Sequence, residues 1–181
     1  MRPSNRILSV LTLFAAAMPY ASAQPVLDFS DPATAREFRV INDGVMGGVS
    51  TSRLDEADGA LAFEGQVSLE NNGGFASFRG PVRILDGASV LLLTVRGDGK
   101  RYKLVVKRDD SNATPQYQAP FDAPREWTTL RFKPTDFSPS FRGRPIPAPP
   151  LAFGDVQSLG VLISDRQTGP FRIELKEVRT E

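Results

Sequence analysis

Residues 59–69 read GALAFEGQVSL, and the reading of this stretch decides the fold. Leu61, Phe63, Val67 and Leu69 fall on one side of an extended chain, while Ala62, Glu64, Gln66 and Ser68 fall on the other. A period of two marks a half-buried strand, because successive side chains of a pleated chain point to opposite faces. The pattern returns near the C-terminus, where Phe171, Ile173 and Leu175 alternate with Arg172, Glu174 and Lys176. Tyr102, Leu104 and Val106 form another set, and residues 127–132 (WTTLRF) a further one. Residues 90–95 (VLLLTV) and 161–163 (VLI) are apolar throughout or nearly so, and read as central strands buried on both faces. Glycines separate these runs at Gly59, Gly80, Gly87 and Gly97-Asp98-Gly99. No window of a dozen residues carries the i, i+3, i+4, i+7 spacing of a helix, so strands are expected throughout. Many short strands punctuated by turns predict an all-β protein, a β-sandwich or barrel.

Composition narrows the chemistry. The chain has 181 residues, ordinary globular proportions, and neither histidine nor cysteine. Without them there is no Ser-His-Asp or Cys-His relay, no disulfide, no zinc finger and no Cys-ligated cluster. Any reaction would have to come from carboxylates, Lys, Tyr, Ser, Thr or a bound group, and no cofactor is expected.

The N-terminus reads as a secretory leader. Arg2 and Arg6 precede the apolar run 7–17 (ILSVLTLFAAA), and Ala21-Ser22-Ala23 supplies a small-residue exit. Eleven apolar residues span only about 16 Å as a helix, short of a bilayer core of roughly 30 Å. A mitochondrial presequence would be richer in arginine. Residues 1–23 are therefore expected to be a signal peptide cut after Ala23, and 24–181 a single secreted or periplasmic domain with no stable membrane insertion. Cleavage removes two arginines and no acid, turning a formal charge of +1 into −1. A near-neutral domain has no general electrostatic hold on nucleic acid. The densest basic stretch, 100–108 (KRYKLVVKR), reads as a strand with a solvated face.

The proline-rich stretch 137–150 (FSPSFRGRPIPAPP) cannot be a central strand, since each proline removes a ladder donor. It reads as a long, stiff connection across the sandwich, with Phe141, Arg142 and Arg144 packing it back; a polyproline peptide offered to a partner is the alternative.

Two glycine-rich segments stand out. NDGVMGGVS (42–50) contributes Asn42, Asp43, Met46, Gly47, Gly48 and Ser50 as candidate binding residues. ENNGGFASFR (70–79) contributes Asn71, Asn72, Gly73, Gly74, Phe75, Ser77 and Arg79. Paired glycines beside Asn and Asp permit sharp turns and close backbone approach. They serve either as turns whose polar side chains satisfy the backbone, or as a binding surface with Met46 and Phe75 as apolar anchors. Phe141 and Arg142 join the candidates from the proline-rich stretch. Neither segment has the spacing of a phosphate loop.

These two segments, in this order, resemble the complex I intermediate-associated protein 30 family. Residues 97–110 (GDGKRYKLVVKRDD), the region 117–127, residues 136–144 (DFSPSFRGR) and residues 167–178 (QTGPFRIELKEV) are similar to that family as well. The resemblance runs from about Leu27 to Val178 and implies a jelly-roll β-sandwich of the galactose-binding-like kind. It also implies a non-catalytic, chaperone-like factor that binds protein, in the manner of relatives that assist assembly of respiratory NADH dehydrogenase. The leader departs from those mitochondrial relatives and directs the expected partner to an envelope or respiratory assembly outside the cytoplasm.

Other chemistries are weaker. Asp43, Glu70, Asp98 and Asp136 could pair as glycosidase carboxylates, but acids in loops usually cap turns. Residues 55–59 (DEADG) do not fit an EF-hand, and no metal site is expected. The runner-up function is a carbohydrate-binding module, with Tyr102, Tyr117 and Trp127 as a stacking platform; each lies in or beside a strand, where the core competes for it. Expressed in a bacterial host, the mature chain is expected to start at Gln24 by N-terminal sequencing or intact mass. A mature species that keeps 1–23 overturns the secretory reading.

Overall fold

The alternating stretch 59–69 lies inside a six-stranded antiparallel sheet. The computed structural model describes residues 25–181 apart from 85, 110 and 112, so the expected leader lies outside the described residues. In chain order the strands are β1 (Pro25–Asp28), β2 (Arg39–Asn42), β3 (Thr51–Ala57), β4 (Ala60–Val67), β5 (Ala76–Pro81), β6 (Leu91–Gly97) and β7 (Arg101–Lys107). They continue with β8 (Gln116–Asp122), β9 (Thr128–Phe132), β10 (Ser138–Phe141), β11 (Arg144–Pro145), β12 (Ser158–Ile163) and β13 (Gly169–Thr180). One sheet runs β3-β4-β13-β6-β9, with β1 also paired to β13. The other, seven-stranded, runs β11-β10-β8-β7-β12-β5-β2. The fold is an all-β sandwich.

Local chemistry explains the pairing. Asp58 and Gly59 both take positive φ, 49° and 73°, the geometry of a two-residue hairpin turn whose twist matches its strands. They join β3 to β4 in the register Ala57↔Ala60. The 12-residue β13 is the spine: β4 lies along its first half, β1 along its second, and β6 on its other side. Its alternation buries Phe171, Ile173 and Leu175. A register shift between Leu175 and Glu177 inserts one residue, so that Val178 rather than Glu177 returns to the core.

Between the sheets lies a chain of aromatic contacts. Phe63 meets Phe78 of the facing sheet and Phe171 of its own, each at 4.9 Å between ring centres. Phe78 continues to Phe38 and Phe29. Toward the other side, Tyr102, Phe121, Phe132, Phe137 and Phe153 follow one another at 5.8–6.2 Å. Leu91, Leu93, Leu104, Leu159, Val161 and Ile163 are buried around them.

Two expectations need correction. A helix is present, α1 (Pro32–Arg36), started by Pro32 and capped by Asp31, whose Oδ1 accepts from Ala33 N at 2.9 Å. Five residues are too few to show a helical period. The proline-rich stretch is not wholly a loop, because 138–145 form an edge hairpin with Arg142 and Gly143 at positive φ in the turn. Edge position is what lets prolines enter a strand. The remainder is held by Tyr117 Oη donating to Pro149 O at 2.7 Å and by Arg108 donating to Pro150 O, and not by the expected Arg142 and Arg144, which are exposed.

Phe63→Ala should cost about 3–5 kcal/mol and Ile173→Ala about 2–5 kcal/mol in urea unfolding, while outward-facing Gln66→Ala should cost less than about 0.5 kcal/mol.

Candidate functional site

Topology places the glycine-rich segments side by side. Residues 43–50 carry the chain from β2 of one sheet to β3 of the other, and residues 68–75 carry it back from β4 to β5. Asn42 pairs with Ala76, and Thr51 pairs with Gln66, so both crossings leave the same end of the sandwich.

Asp43 locks them together. Its carboxylate is fully buried. Oδ1 accepts from Ser50 N at 3.0 Å, and Oδ2 accepts from Ser50 Oγ at 2.5 Å, Gly74 N at 2.7 Å and Phe75 N at 3.2 Å. Ser50 Oγ in turn accepts from Ser68 N at 3.0 Å. Burial alone would push the Asp43 carboxyl up; the hydrogen bonds from Ser50, Gly74 and Phe75 outweigh it and hold the group below the ordinary carboxylate range. An anion so fully engaged is an internal anchor, with no capacity left for acid–base work.

The glycine pairs follow from this anchor. A Cβ at Gly48 would stand 2.4 Å from Asp43 Cγ, and one at Gly73 2.6 Å from Asp43 Oδ2. Their partners, Gly47 and Gly74, take φ of 89° and 132°. One glycine of each pair makes room for the carboxylate and the other turns the chain. Asn42 Oδ1 accepts from Ser52 Oγ at 2.6 Å, and Ser77 Oγ donates to Ile41 O at 2.7 Å. Asn71 and Asn72 take left-handed φ of 54° and 61° in an exposed turn.

The lock holds an apolar tip outward. Val45, Met46 and Val49 are 76%, 61% and 46% exposed, and the only other large apolar side chain comparably exposed among the described residues is Trp127 at 38%. Met46, a sequence candidate, is exposed; Val45 and Val49 were not among the candidates, although each adjoins a glycine of the same segment. Phe75 is half-buried beside the lock. Arg79 is buried on β5, opposite Gly160 of β12. Phe141 and Arg142 are not part of this site. They lie in the β10–β11 hairpin, with β8, β7, β12 and β5 between it and β2, and the Arg142 guanidinium covers the Phe141 ring at 5.2 Å.

The platform candidates separate as well. Tyr102 and Tyr117 are buried, whereas Trp127 reaches the surface beside Arg96, whose guanidinium lies 4.8 Å from its ring centre. Of the four loop acids, Asp98 accepts from Tyr102 Oη at 3.1 Å and Asp136 Oδ2 accepts from Lys133 N at 2.7 Å. Among the described residues, no three acids lie close enough to hold a metal ion, and no helix is long and apolar enough to cross a membrane.

Two antiparallel sheets joined by paired crossings define a galactose-binding-like β-sandwich domain. Residues 27–175 match the family model of complex I intermediate-associated protein 30, and the chain belongs to that family. No curated protein matches it in sequence. Among solved structures it is similar to the family 11 carbohydrate-binding module of a cellulosomal cellulase of Clostridium thermocellum, with a TM-score of 0.63 and 9% identity over 87% of this chain and 94% of that one. The family 11 module from Clostridium thermocellum in complex with a β-1,3-1,4-mixed-linked tetrasaccharide gives 0.59 and 9% over 80% and 88%. A variant of a family 29 carbohydrate-binding module gives 0.50 and 13% over 89% and 92%. At these identities the likeness shows the fold alone.

Asp43→Asn should lower stability by about 3 kcal/mol near pH 7, because the amide cannot accept all of the donors aimed at it. Since folding depresses the Asp43 pKa, its contribution is complete above the unfolded value and is lost as pH falls through the folded one. The gap between wild type and Asp43→Asn in urea unfolding should therefore shrink below about pH 4.

Proposed function

We propose that this domain is a non-catalytic protein-binding module of the assembly-factor type, exported by its leader, which docks an envelope partner through the tip formed by Val45, Met46 and Val49. The observation that carries the reading is the exposure of three apolar side chains within five residues of a loop locked to the scaffold. Apolar groups of this size are normally withdrawn from water, and a contiguous exposed set marks a contact surface. Because Asp43 already fixes the backbone, little ordering entropy is left to lose on docking. The family's description, which names an intermediate of complex I, supports binding to a protein undergoing assembly.

Carbohydrate binding is the second reading, favoured by the exposure of Trp127 on the outer face of the six-stranded sheet and by the sugar-binding modules that share the fold.

Met46→Asp and Val45→Ser should change stability by less than about 0.5 kcal/mol, since these side chains are 61% and 76% exposed. In pull-downs of the mature domain from envelope extract, Met46→Asp should weaken recovery of the partner by roughly 30-fold, the scale of a hot-spot loss. Variants that recover every partner as wild type does would overturn docking at this tip.

A further inference from the structure

The outer face of the six-stranded sheet carries a ladder of charges set by register. Glu174 of β13 stands opposite Arg96 of β6, and Arg172 opposite Glu64 of β4, which faces Arg53 of β3. Arg96 Nε donates to Glu174 Oε2 at 2.5 Å and Arg172 Nη2 reaches Glu174 Oε1 at 2.8 Å, while Glu64 is bridged by Arg53 and Arg172. Asp98, at the end of β6, accepts from Lys100 N, Tyr102 Oη and Arg172 N at 3.0–3.1 Å. The acids of this face are thus occupied by protein donors.

The cations are not all occupied. Arg125 lies against the backbone of Gly99 and makes no ion pair or hydrogen bond among the described residues. Arg96 uses Nε on Glu174 and leaves its terminal nitrogens without a protein acceptor among those residues. Both line a depression of about 280 Å³, and Trp127, outside that lining, is reached through Arg96, whose guanidinium lies over its ring. Through Asp98 and Arg172 the depression continues into a second of about 560 Å³, whose walls include the uncharged polar side chains of Thr51 and Gln66.

A ligand suited to this face has a flat apolar surface for Trp127, hydroxyls for Thr51, Gln66 and the engaged carboxylates, and an anionic group for the spare guanidinium donors. Arginine matches a planar carboxylate with two parallel bonds. Charged side chains supply most of the lining residues of the first depression, while Pro170 and Phe171 add apolar surface in the second. A chain of sugar rings bearing carboxylates meets each demand in one molecule. We propose that the outer face of the six-stranded sheet binds a carboxylate-bearing oligosaccharide, an oligo-uronide, with Arg125 and Arg96 holding the carboxylate and Trp127 the ring. This rests on the carbohydrate reading and is independent of docking through Met46.

The test is calorimetric titration of the mature domain, in about 150 mM salt, with a galacturonate hexamer and with the same hexamer as its methyl ester, which keeps the rings and hydroxyls but removes the charge. The acid should bind about tenfold more tightly or better. Arg125→Gln should abolish that preference and leave the ester unaffected, and Trp127→Ala should weaken both. Equal affinity for acid and ester, or a preference that survives in Arg125→Gln, overturns the uronide assignment alone. No binding of either hexamer at millimolar concentration overturns it together with the carbohydrate reading, and leaves the docking tip untouched.

Discussion

One buried carboxylate organises the end of the molecule where the two sheets exchange strands. Asp43 stands in a site that would expel an unpaired charge, since an ionised carboxyl loses several kcal/mol on leaving water without compensation. It stays because donors from both crossings converge on it: Ser50 from its own segment, and Gly74 and Phe75 from the other. Neither crossing could adopt its path alone, because each needs the other's groups to satisfy the charge. Gly48 and Gly73 are glycines for the same reason, as any side chain there would occupy the carboxylate's space. The lock converts what composition presents as two flexible loops into one fixed support.

Rigidity at that point has a consequence for the tip. Val45 and Met46 follow the anchor by two and three residues, within the single 3₁₀ turn Asp43–Met46. Their exposure is therefore imposed by a well-satisfied backbone and is not the slack of a mobile segment. Hydrophobic collapse of the tip onto the sandwich would require breaking the Asp43 network, so the apolar side chains remain in water until something covers them.

Much of the fold was legible because side-chain type alternates along β4, β7 and the first half of β13, even where the outer face is covered, as at Ala62, Val105 and Lys107. Besides β3, β5 and β8, strands of six or seven residues that were not read as such, what escaped was short or parity-broken. The four residues of β1 and of β2 carry too few alternations, α1 has fewer than two turns, and the register shift after Leu175 hides Val178 from any fixed period. In the site, the positions were visible, but which side chains turn inward and which outward was not. Polar Asp43 and Ser50 went inside, while apolar Val45, Met46 and Val49 went outside, because hydrogen-bond satisfaction outranked side-chain polarity at this turn. Phe141 and Arg142 look like site residues by composition alone. Only strand order, which sequence does not display, shows four strands between them and β2. Trp127 is the opposite case: a lone tryptophan expected in the core is held at the surface, since it precedes edge strand β9 and packs on Arg96, itself tied to Glu174.

The two surfaces of this domain meet at one residue pair. Ser50 belongs to the lock, while Thr51, its neighbour, begins β3 opposite Gln66 and lines the outer depression of the six-stranded sheet. The two nonetheless depend on different physics. The tip is apolar, so covering Val45, Met46 and Val49 would draw on the hydrophobic effect and not on charge. The sheet face is a ladder of charges: burial pushes the Glu174 carboxyl up, but Arg96 and Arg172 more than offset it and hold that group below its ordinary range. Because Arg53, Arg96 and Arg172 are set against Glu64 and Glu174, and Asp98 beside them makes the acids equal in number to these cations, the ladder contributes little net field. Arg125, left outside the ladder, is what gives that face a sign. The exposed apolar side chains thus lie in the segment leading into β3, and Arg125 lines the outer depression of the sheet to which β3 belongs, so a change at one leaves the groups of the other in place.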